Sequence, residues 1–406
     1  MRRFSIALVL TVVACGSGSA STSDDSLGQV GQDGQCVING VNSTADQDAV
    51  VQLYYFDRTS SSGGFGGCTA TMLSPRIALT ARHCVANTDG YSACDSDGNV
   101  LAGGRILSDH EANTMYVMLG VKPQFHGKAD GQGKQLYVPE SRIMCNSDIA
   151  VIELANPLPN AQIAKIRLDS PPVKGETITA IGWGITESGR GPSQRQQRTG
   201  IRVLDVGPSA SKRSGIGAKE FQVGESICSG DSGGPAIADS TGAVIGVVSR
   251  GGNGTTSTEP AAACVGAGTY NTYTQVAPHK DLIMQAFAST GEEPWLEGGP
   301  DPRKAKADAT CGVGDECRSG LCHEGVCVDA CTEGGVCADG YTCNGDVGVC
   351  VVNVVSESSA TDVAVKGCST TGSARAPASP FALVAAGAIV LAGMRRRRVG
   401  CPATRY

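Results

Sequence analysis

Short runs of apolar residues, some continuous and some alternating with polar ones, recur along the chain from Val37 onward. Each run is bounded by Gly, Ser, Asn, Asp or Pro, which is typical of β-strands separated by turns. Many short strands of this kind predict a β-sandwich or β-barrels. One helical pattern follows them, from about His279 to Ala288, with apolar residues on one face. The runs are 49–56, 69–73, 76–81, 116–119, 149–154, 177–183, 201–206 and 243–249.

The composition excludes several classes of protein. The chain has 406 residues and is 41% apolar, which is enough for two or three domains with at least one sizeable core. Its 55 glycines and 4% aromatic residues disfavour an all-helical protein, because they favour turns and short strands. The net charge is -6 and the one dense basic run is Arg395–Arg398, so nucleic acid is not expected as a partner.

The 18 cysteines predict an oxidising compartment, and the amino terminus carries a matching export signal. Residues 1–20 have the layout of a signal peptide, with basic residues before an apolar run and small residues near its end. Cys15 follows Val-Val-Ala, which resembles a bacterial lipobox, so lipidation of Cys15 and ordinary cleavage after Ala20 both stay open. Residues 21–36 are polar and predict a propeptide or spacer.

A second domain is predicted over residues 311–350, after a charged linker over 296–310. It contains eight cysteines and almost no apolar core, so disulfides must stabilise it. The spacing does not reveal their connectivity, since eight cysteines allow about 105 pairings. Zinc is the competing interpretation, but His323 is the only histidine nearby and a secreted chain favours disulfides.

The carboxy-terminal part predicts a sorting signal. Residues 351–380 are rich in Ser, Thr and Ala and predict a disordered linker, residues 381–398 combine an apolar segment with an Arg cluster, and residues 399–406 form a short tail. The apolar segment is shorter than the ~20 residues of a full membrane span. Together with Gly-Cys-Ser around Cys368, it resembles the MYXO-CTERM tails of bacterial surface proteins. The resemblance implies cleavage and attachment near Cys368, and an ordinary hydrophobic tail is the alternative.

The segment from Cys228 to Pro235, Cys-Ser-Gly-Asp-Ser-Gly-Gly-Pro, has the composition of a loop built around a nucleophile. Its glycines allow the N–H groups of Gly230 and Ser232 to converge on an oxygen that becomes negative during acyl transfer. A serine nucleophile needs a base at about 2.6 to 3.2 Å, and the base needs a carboxylate. The candidates are His83, in Leu-Thr-Ala-Arg-His-Cys, and Asp148, which enters an apolar strand.

In this order, His83, Asp148 and Ser232 with their motifs resemble the trypsin/chymotrypsin family of serine proteases from Val37 to about Thr290. The resemblance implies an all-β fold of two six-stranded antiparallel β-barrels with a C-terminal helix, in a protease domain over 37–295. It implies that Ser232 attacks the substrate carbonyl, and that His83 acts as base and then as acid. Asp148 orients His83 in this scheme.

The resemblance also assigns the oxyanion hole and several supporting positions. The N–H groups of Gly230 and Ser232 form the oxyanion hole, and Ser249 lies on the strand that pairs with the substrate and hydrogen-bonds Asp148. The implied disulfides are Cys68–Cys84 behind the histidine and Cys228–Cys264 beside the specificity pocket. Cys94 and Cys145 remain, and we expect them to bridge the long insertion between His83 and Asp148.

By the family's spacing, the primary specificity pocket has Ser226 at its base and Gly251 and Asn271 on its walls. No acid stands at the base, so cleavage after Lys or Arg is not implied unless Glu225 reaches in. An uncharged residue on the acyl side of the cleaved bond is favoured, and Asn271 makes the pocket shallow. Arg250 stands where the family usually has an aromatic residue.

The segment Val37-Ile38-Asn39-Gly40 resembles the family's mature amino terminus. The resemblance implies that cleavage before Val37 frees an α-amine that pairs with Asp231, so that the protein is made as a zymogen. Cys36 precedes the cleavage point, where the family has Lys or Arg, so the activating protease is undefined.

The sequence therefore predicts a secreted, cell-surface-attached serine endopeptidase of bacteria that needs no metal or cofactor. Its expected partners are a protein or peptide substrate, the membrane or cell envelope through the C-terminal tail or an N-terminal lipid, and an unknown ligand of the Cys-rich module. After cleavage before Val37, we expect retention through Cys368 or the apolar tail. The alternative is a non-catalytic adhesion or recognition protein that acts through the Cys-rich module.

Overall fold

The structure is a computed structural model that describes residues 37–57, 64–90, 92–123, 128–210, 215–259 and 261–353. The predicted signal peptide with Cys15, the propeptide with Cys36, the tail with Cys368 and the apolar segment 381–398 lie outside these residues. No helix among the described residues has both the length and the apolar character needed to cross a membrane.

The described residues form twenty-four strands and one α-helix. In chain order, the first eleven strands are β1 (Val41–Asn42), β2 (Val50–Asp57), β3 (Gly64–Met72), β4 (Ile77–Thr80), β5 (Ala86–Thr88), β6 (Ala93–Cys94), β7 (Val100–Ala102), β8 (Ile106–Asp109), β9 (Met115–Met118), β10 (Gly131–Tyr137) and β11 (Ala150–Leu154).

The next nine strands are β12 (Lys165–Ile166), β13 (Thr177–Gly182), β14 (Gln196–Val206), β15 (Ser209–Ala210), β16 (Gly215–Ile216), β17 (Glu220–Val223), β18 (Pro235–Ala238), β19 (Ala243–Gly252) and β20 (Tyr270–Gln275). Helix α1 (Lys280–Thr290) follows, and the Cys-rich region contains β21 (Cys322–His323), β22 (Val326–Cys327), β23 (Tyr341–Asn344) and β24 (Val349–Val352).

The first barrel is a closed ring of six antiparallel strands in the order β10-β11-β4-β3-β2-β9. Every residue of β4 and of β11 is buried. Successive side chains of a strand point to opposite faces, so the paired residues Ala78 and Ile152 belong to the interior of the barrel, whereas their neighbours Leu79 and Val151 belong to a second core. A strand with a core on each face has little room for polar residues, which explains these nearly continuous apolar runs.

The second barrel contains β14, β13, β18, β19, β20 and β17, and pairing between β14 and β17 closes it. Short strands β1 and β12 add to its outside by pairing with β14 and β19. Inside the barrel, the rings of Phe221 and Tyr273 stack with their centroids 5.2 Å apart. The predicted fold of two six-stranded antiparallel barrels is confirmed.

Helix α1 packs on the core that the two barrels share. Its Ile283, Ala286 and Phe287 are buried together with residues of both barrels, such as Leu79 from β4 and Val247 from β19. The helix ends at Gly291, whose φ of +69° lies in the left-handed region that glycine adopts most easily. The predicted C-terminal helix is therefore confirmed, two residues longer at its end than its sequence pattern indicates.

An excursion between β4 and β9 contains the paired strands β5 with β8 and β6 with β7. The disulfide Cys94–Cys145 ties it to the segment that precedes β11. At its other end, the buried guanidinium of Arg82 donates to the Asp109 carboxylate at 2.8 Å and to the backbone oxygen of Pro139.

The Cys-rich region contains four disulfides in two separate halves. Cys311–Cys322 and Cys317–Cys327 close the first half around β21 and β22, and Cys331–Cys343 and Cys337–Cys350 close the second around β23 and β24. In each half the first cysteine pairs with the third and the second with the fourth. All eight thiols of this region are paired, so none is left as a ligand for zinc.

The segment between helix α1 and the Cys-rich region lies along the barrels. The N–H of Ile166 in β12 donates to the Trp295 carbonyl, and the Arg167 guanidinium donates to the Glu297 carboxylate at 2.6 and 2.8 Å. Arg318 of the Cys-rich region bonds to Glu293 at 2.7 Å. The described residues up to Val352 thus form one compact unit.

Candidate active site

The three residues expected to carry the chemistry come from different parts of the two barrels. His83 lies in a 3-10 helix, Arg82–Cys84, that follows β4, and Asp148 lies two residues before β11. Ser232 lies in the loop between β17 and β18 of the second barrel. His83 and Ser232 both line a cleft of about 430 Å³. Folding therefore brings the predicted nucleophile and the predicted base to one cavity.

The carboxylate of Asp148 is fully buried and accepts hydrogen bonds from His83 and Ser249. The His83 N–H donates to Oδ1 at 2.9 Å, and the His83 ring atom Nδ1 contacts Oδ2 at 2.8 Å. The Ser249 hydroxyl donates to Oδ2 at 2.6 Å. Since an ionised carboxylate can only accept, Nδ1 carries the proton and Nε2 is left with its lone pair. The pair thus presents a base to the cleft.

The pKa values of this pair move apart. Burial by itself lowers the pKa of His83, but the charge and hydrogen bond of Asp148 outweigh it, so the pKa of His83 lies above its ordinary value. Burial by itself raises the pKa of Asp148, but His83 and Ser249 outweigh it, so the pKa of Asp148 lies below its ordinary value. The carboxylate therefore stays ionised and stabilises a proton on the imidazole.

The loop around Ser232 depends on glycine. Gly230 has a φ of +104° and Gly233 a φ of +76°, a region that side chains with a Cβ rarely adopt. Thr69 of the first barrel fixes the loop, because its N–H donates to the Ser232 carbonyl at 2.8 Å and its hydroxyl to the Gly230 carbonyl at 3.0 Å. Within the described part of the chain, the N–H groups of Gly230 and Ser232 have no acceptor. Both donors are available to a ligand.

No hydrogen bond joins Ser232 to His83 among the described residues, although both side chains face the same cleft. Sequence reasoning expects this contact, because the hydroxyl loses its proton to the imidazole. In serine and cysteine enzymes such contacts are often long before substrate binds and shorten in the complex.

Three disulfides lie close in sequence to the candidate residues, with the pairings expected from the sequence. Cys68–Cys84 joins β3 to the 3-10 helix of His83, and Cys228–Cys264 joins the Ser232 loop to one wall of the cleft. Cys94–Cys145 ends three residues before Asp148. Each of the three candidate residues is thus close in sequence to a crosslink.

The predicted specificity pocket is closed by Asn271. Asn271 and Gly251 line the cleft, whereas Ser226 is fully buried and does not. The Asn271 amide donates to the Ser226 hydroxyl at 3.1 Å and to the Gly224 carbonyl at 2.9 Å. Glu225 points elsewhere, because it accepts from the Asn39 amide at 2.6 Å and from the Gly266 N–H at 2.5 Å. The bottom of the pocket is therefore a neutral amide.

Asp231, next to the predicted nucleophile, is buried and has no counterion among the described residues. It accepts N–H bonds from Gly184 at 2.7 Å and from Cys228 at 2.9 Å, and none of the described cations bonds to it. Burial raises its pKa to about 7. Val37 and Ile38 are also fully buried, and Val37 belongs to the core of the second barrel.

Sequence reasoning missed several residues at the cleft. Thr88, Ser92 and Met144 line it, and no motif marks them because they belong to the insertion. The pair formed by Arg250 and Glu220 was also missed. A charged residue inside an apolar strand is a signal for a buried partner, but this partner lies 30 positions earlier and depends on the register of the barrel.

Comparisons with known proteins agree with this geometry. The family model "Trypsin" matches residues 37–283. Phenoloxidase-activating factor 3 of Holotrichia diomphalia is 29% identical over 68% of this chain and 79% of its own length. Trypsin-1 of Astacus astacus is 29% identical over 56% of this chain and 91% of its own length. The trypsin of the bacterium Saccharopolyspora erythraea is 24% identical over 54% and 86%.

We predict that Asp231 makes the uncleaved chain less stable as pH rises. Its folded pKa of about 7 exceeds the ordinary value of 3.8, so the folded state binds this proton more tightly than the unfolded state does. Its contribution to the free energy of unfolding is complete below about pH 4 and is lost between about pH 4 and 7. This contribution amounts to about 4 kcal/mol at most. The free energy of unfolding, measured with urea, should therefore decline across this range in the wild type, and Asp231→Asn should remove that decline. Equal pH dependence in both proteins would contradict the prediction.

Proposed function

The chain belongs to the trypsin family of serine endopeptidases, and on that premise we propose that it is secreted, made as a zymogen and held on the outer surface of a bacterial cell. Its substrate is a protein or peptide, as the family implies. The observation that carries the proposed mechanism is the buried Asp148 carboxylate, which binds His83 on the cleft that also contains Ser232.

We assign the chemical steps to the residues of this cleft. The Ser232 hydroxyl attacks the carbonyl carbon of the peptide bond and passes its proton to Nε2 of His83. Asp148 stabilises the resulting imidazolium, and the N–H groups of Gly230 and Ser232 donate to the oxyanion. The imidazolium then protonates the leaving amine, which leaves an acyl group on Ser232. Water, activated by His83, repeats these steps and releases the acid.

We predict that Ser232 reacts with a fluorophosphonate once the chain has been cleaved before Val37. The reagent reports on a nucleophile with a working base, so the uncleaved chain should label slowly. Ser232→Ala should abolish labelling and lower turnover about a millionfold, because the three residues act as a unit.

Ser229→Ala is the matched control, since Ser229 lies in the same loop and lines the same cleft but has no part in the proposed chemistry. It should keep its labelling. A cleaved wild-type chain that forms no adduct at Ser232 would refute the enzymatic mechanism and favour the non-catalytic adhesion protein.

The proposal of a zymogen rests on Asp231 and on the segment that begins at Val37. A buried carboxylate without a cation is costly, and a free α-amine at Val37 supplies a cation of the required charge. Asn39, which bonds to Glu225 at 2.6 Å, helps to place the segment beside the specificity pocket. Pairing of the Val37 amine with Asp231 after cleavage then fixes the adjacent Ser232 loop.

We propose that the enzyme cleaves after small, uncharged residues. The support is the Asn271 amide, which lies between the cleft and the buried Ser226 and leaves neither depth nor charge for a long side chain. Among the residues that line the cleft there is no carboxylate to bind Lys or Arg, and Glu225 is engaged by Asn39 and Gly266.

We predict that Asn271→Ala opens the pocket towards Ser226. Peptide-library profiling of the activated wild type should show cleavage after residues such as Ala or Ser. The variant should shift kcat/KM towards Leu or Met by about tenfold or more, which is the usual effect of a few methylenes in such a pocket. Cleavage after Arg or Lys by the wild type would show that the proposed pocket is wrong.

The proposed location rests on the sequence of the two termini. The basic and apolar signal at residues 1–20 supports export, and the apolar segment with its Arg cluster at residues 381–398 supports retention. Cleavage before Val37 separates Cys15 from the protease domain unless a disulfide of Cys36 holds the two parts together. Once Cys15 has been separated, the carboxy-terminal tail holds the active enzyme on the cell.

We predict that deleting residues 366–406 releases the active enzyme into the medium, whereas Cys15→Ser leaves it on the cell. Both variants keep every described residue of the barrels and the Cys-rich region. Surface biotinylation and activity in the culture supernatant measure the difference. Full surface retention of the deletion variant would refute the role of the tail.

A further inference from the structure

Asn146, two residues before Asp148, has a left-handed backbone conformation. Its φ is +62°, which is uncommon for a residue with a Cβ. It lies in the segment between β10 and β11 of the first barrel. Because this segment leads directly into Asp148, the position of its backbone decides where the buried carboxylate stands.

Three residues that follow the first barrel in the chain hold Asn146 in place. The Glu220 carboxylate accepts its N–H at 2.9 Å, and the Lys219 N–H donates to its side-chain oxygen at 2.9 Å. Nε2 of His279 lies 3.0 Å from its carbonyl oxygen. Burial lowers the pKa of His279 to about 4, so the ring is neutral at ordinary pH and Nε2 donates. Both polar groups of the Asn146 backbone are thus bonded.

Glu220 is the centre of this arrangement. Its carboxylate is fully buried and accepts four hydrogen bonds. Arg250 donates two of them, at 2.6 and 2.7 Å, and the N–H groups of Asn146 and Gly217 donate the others, each at 2.9 Å. A buried ion pair held by this many hydrogen bonds is rigid, because any displacement leaves a charge without a partner.

Arg250 closes the arrangement into a ring of contacts. It follows Ser249, whose hydroxyl donates to Asp148, and it lines the cleft. Asp148 accepts from Ser249, and Ser249 is followed in the chain by Arg250. Arg250 pairs with Glu220, and Glu220 accepts from Asn146. Asn146 lies two residues before Asp148, which completes the ring. The ring joins the first barrel, which carries His83, to the second barrel, which carries Ser232.

We propose that Glu220 is a positioning residue for the hydrolytic reaction, holding Asp148 through its bond to Asn146 and the substrate strand through its bonds to Arg250. The inference rests on the proposed function, since it concerns the same reaction. Glu220 touches neither substrate nor the reacting atoms. Its effect is to fix the separation of His83 and Ser232 on their two barrels.

The test compares two double variants that share one change in the cleft. The amide double variant, Glu220→Gln with Arg250→Met, removes both charges but keeps an amide oxygen for the Asn146 N–H. The thioether double variant, Glu220→Met with Arg250→Met, removes both charges and that acceptor. Methionine fills a similar volume, and replacing a buried ion pair by apolar residues is often tolerated. Because both variants carry Arg250→Met, their difference reports on the acceptor that residue 220 offers to the N–H groups of Asn146 and Gly217.

We expect kcat per active site, titrated with a fluorophosphonate, to be about 10- to 100-fold lower in the thioether double variant than in the amide double variant, with similar KM values. The acidic limb of the kcat/KM profile should also move to lower pH. Asp148 raises the pKa of His83. A less firmly held Asp148 carboxylate raises this pKa less, so the pKa of His83 falls in the thioether double variant. The nearby Arg82 and Asp109 pair is unchanged in both variants.

Equal kcat values and equal acidic limbs in the two double variants would overturn the proposal and leave Glu220 a purely structural role. If the thioether double variant does not fold, Glu220→Leu with Arg250→Met supplies the second test, since it removes the same acceptor and should lower kcat relative to the amide double variant without changing KM. Equal kcat in these two variants would also overturn the proposal.

The control is the pair Arg167 and Glu297, which has the same two-fold hydrogen bonding but lies outside the residues that line the cleft. Replacing both by methionine should change the melting temperature without changing kcat or the pH profile. Failure of the proposed function is recognised separately, because the activated wild type would then form no adduct at Ser232.

Discussion

The buried carboxylate of Asp148 is the point on which the site depends. It is removed from water, yet it stays ionised because His83 and Ser249 supply hydrogen bonds in place of the lost solvent. Those donors belong to different barrels, so the charge is satisfied only when the two barrels are docked. The same docking brings Ser232 to the cleft of His83. Assembly of the site is therefore a condition for the stability of this buried charge.

Other buried charges near the cleft are also stabilised by bonded partners in place of solvent, but their partners are ions of opposite charge. Glu220 and Arg250 neutralise each other directly behind the cleft, and Arg82 is neutralised by Asp109 beside His83. Asp231 is the exception, because its described partners are backbone donors alone. A buried carboxylate without a counterion is costly and destabilises the loop around Ser232, whereas the paired charges hold their surroundings fixed. The distribution of paired and unpaired charges thus separates the part of the site that ion pairs hold from the part for which we propose a change on activation.

Much of this organisation could be predicted from the sequence. Apolar periodicity indicated short strands and a final helix, but it did not distinguish a sandwich from barrels, and the motifs around His83, Asp148 and Ser232 decided that. Periodicity reports which residues are buried, not which strand they meet. For this reason the partner of Arg250, the insertion residues that line the cleft and the disulfide connectivity of residues 311–350 were not predictable. Each depends on contacts between segments that only the folded register brings together.

The paired arrangement of the Cys-rich region has an evolutionary consequence. Its two halves repeat one pattern of crosslinks, and no disulfide joins residues 311–327 to residues 331–350. Either half can therefore be duplicated or lost without leaving an odd thiol behind. The region can therefore change its length by one crosslinked half at a time, while the sequence of the two barrels stays the same.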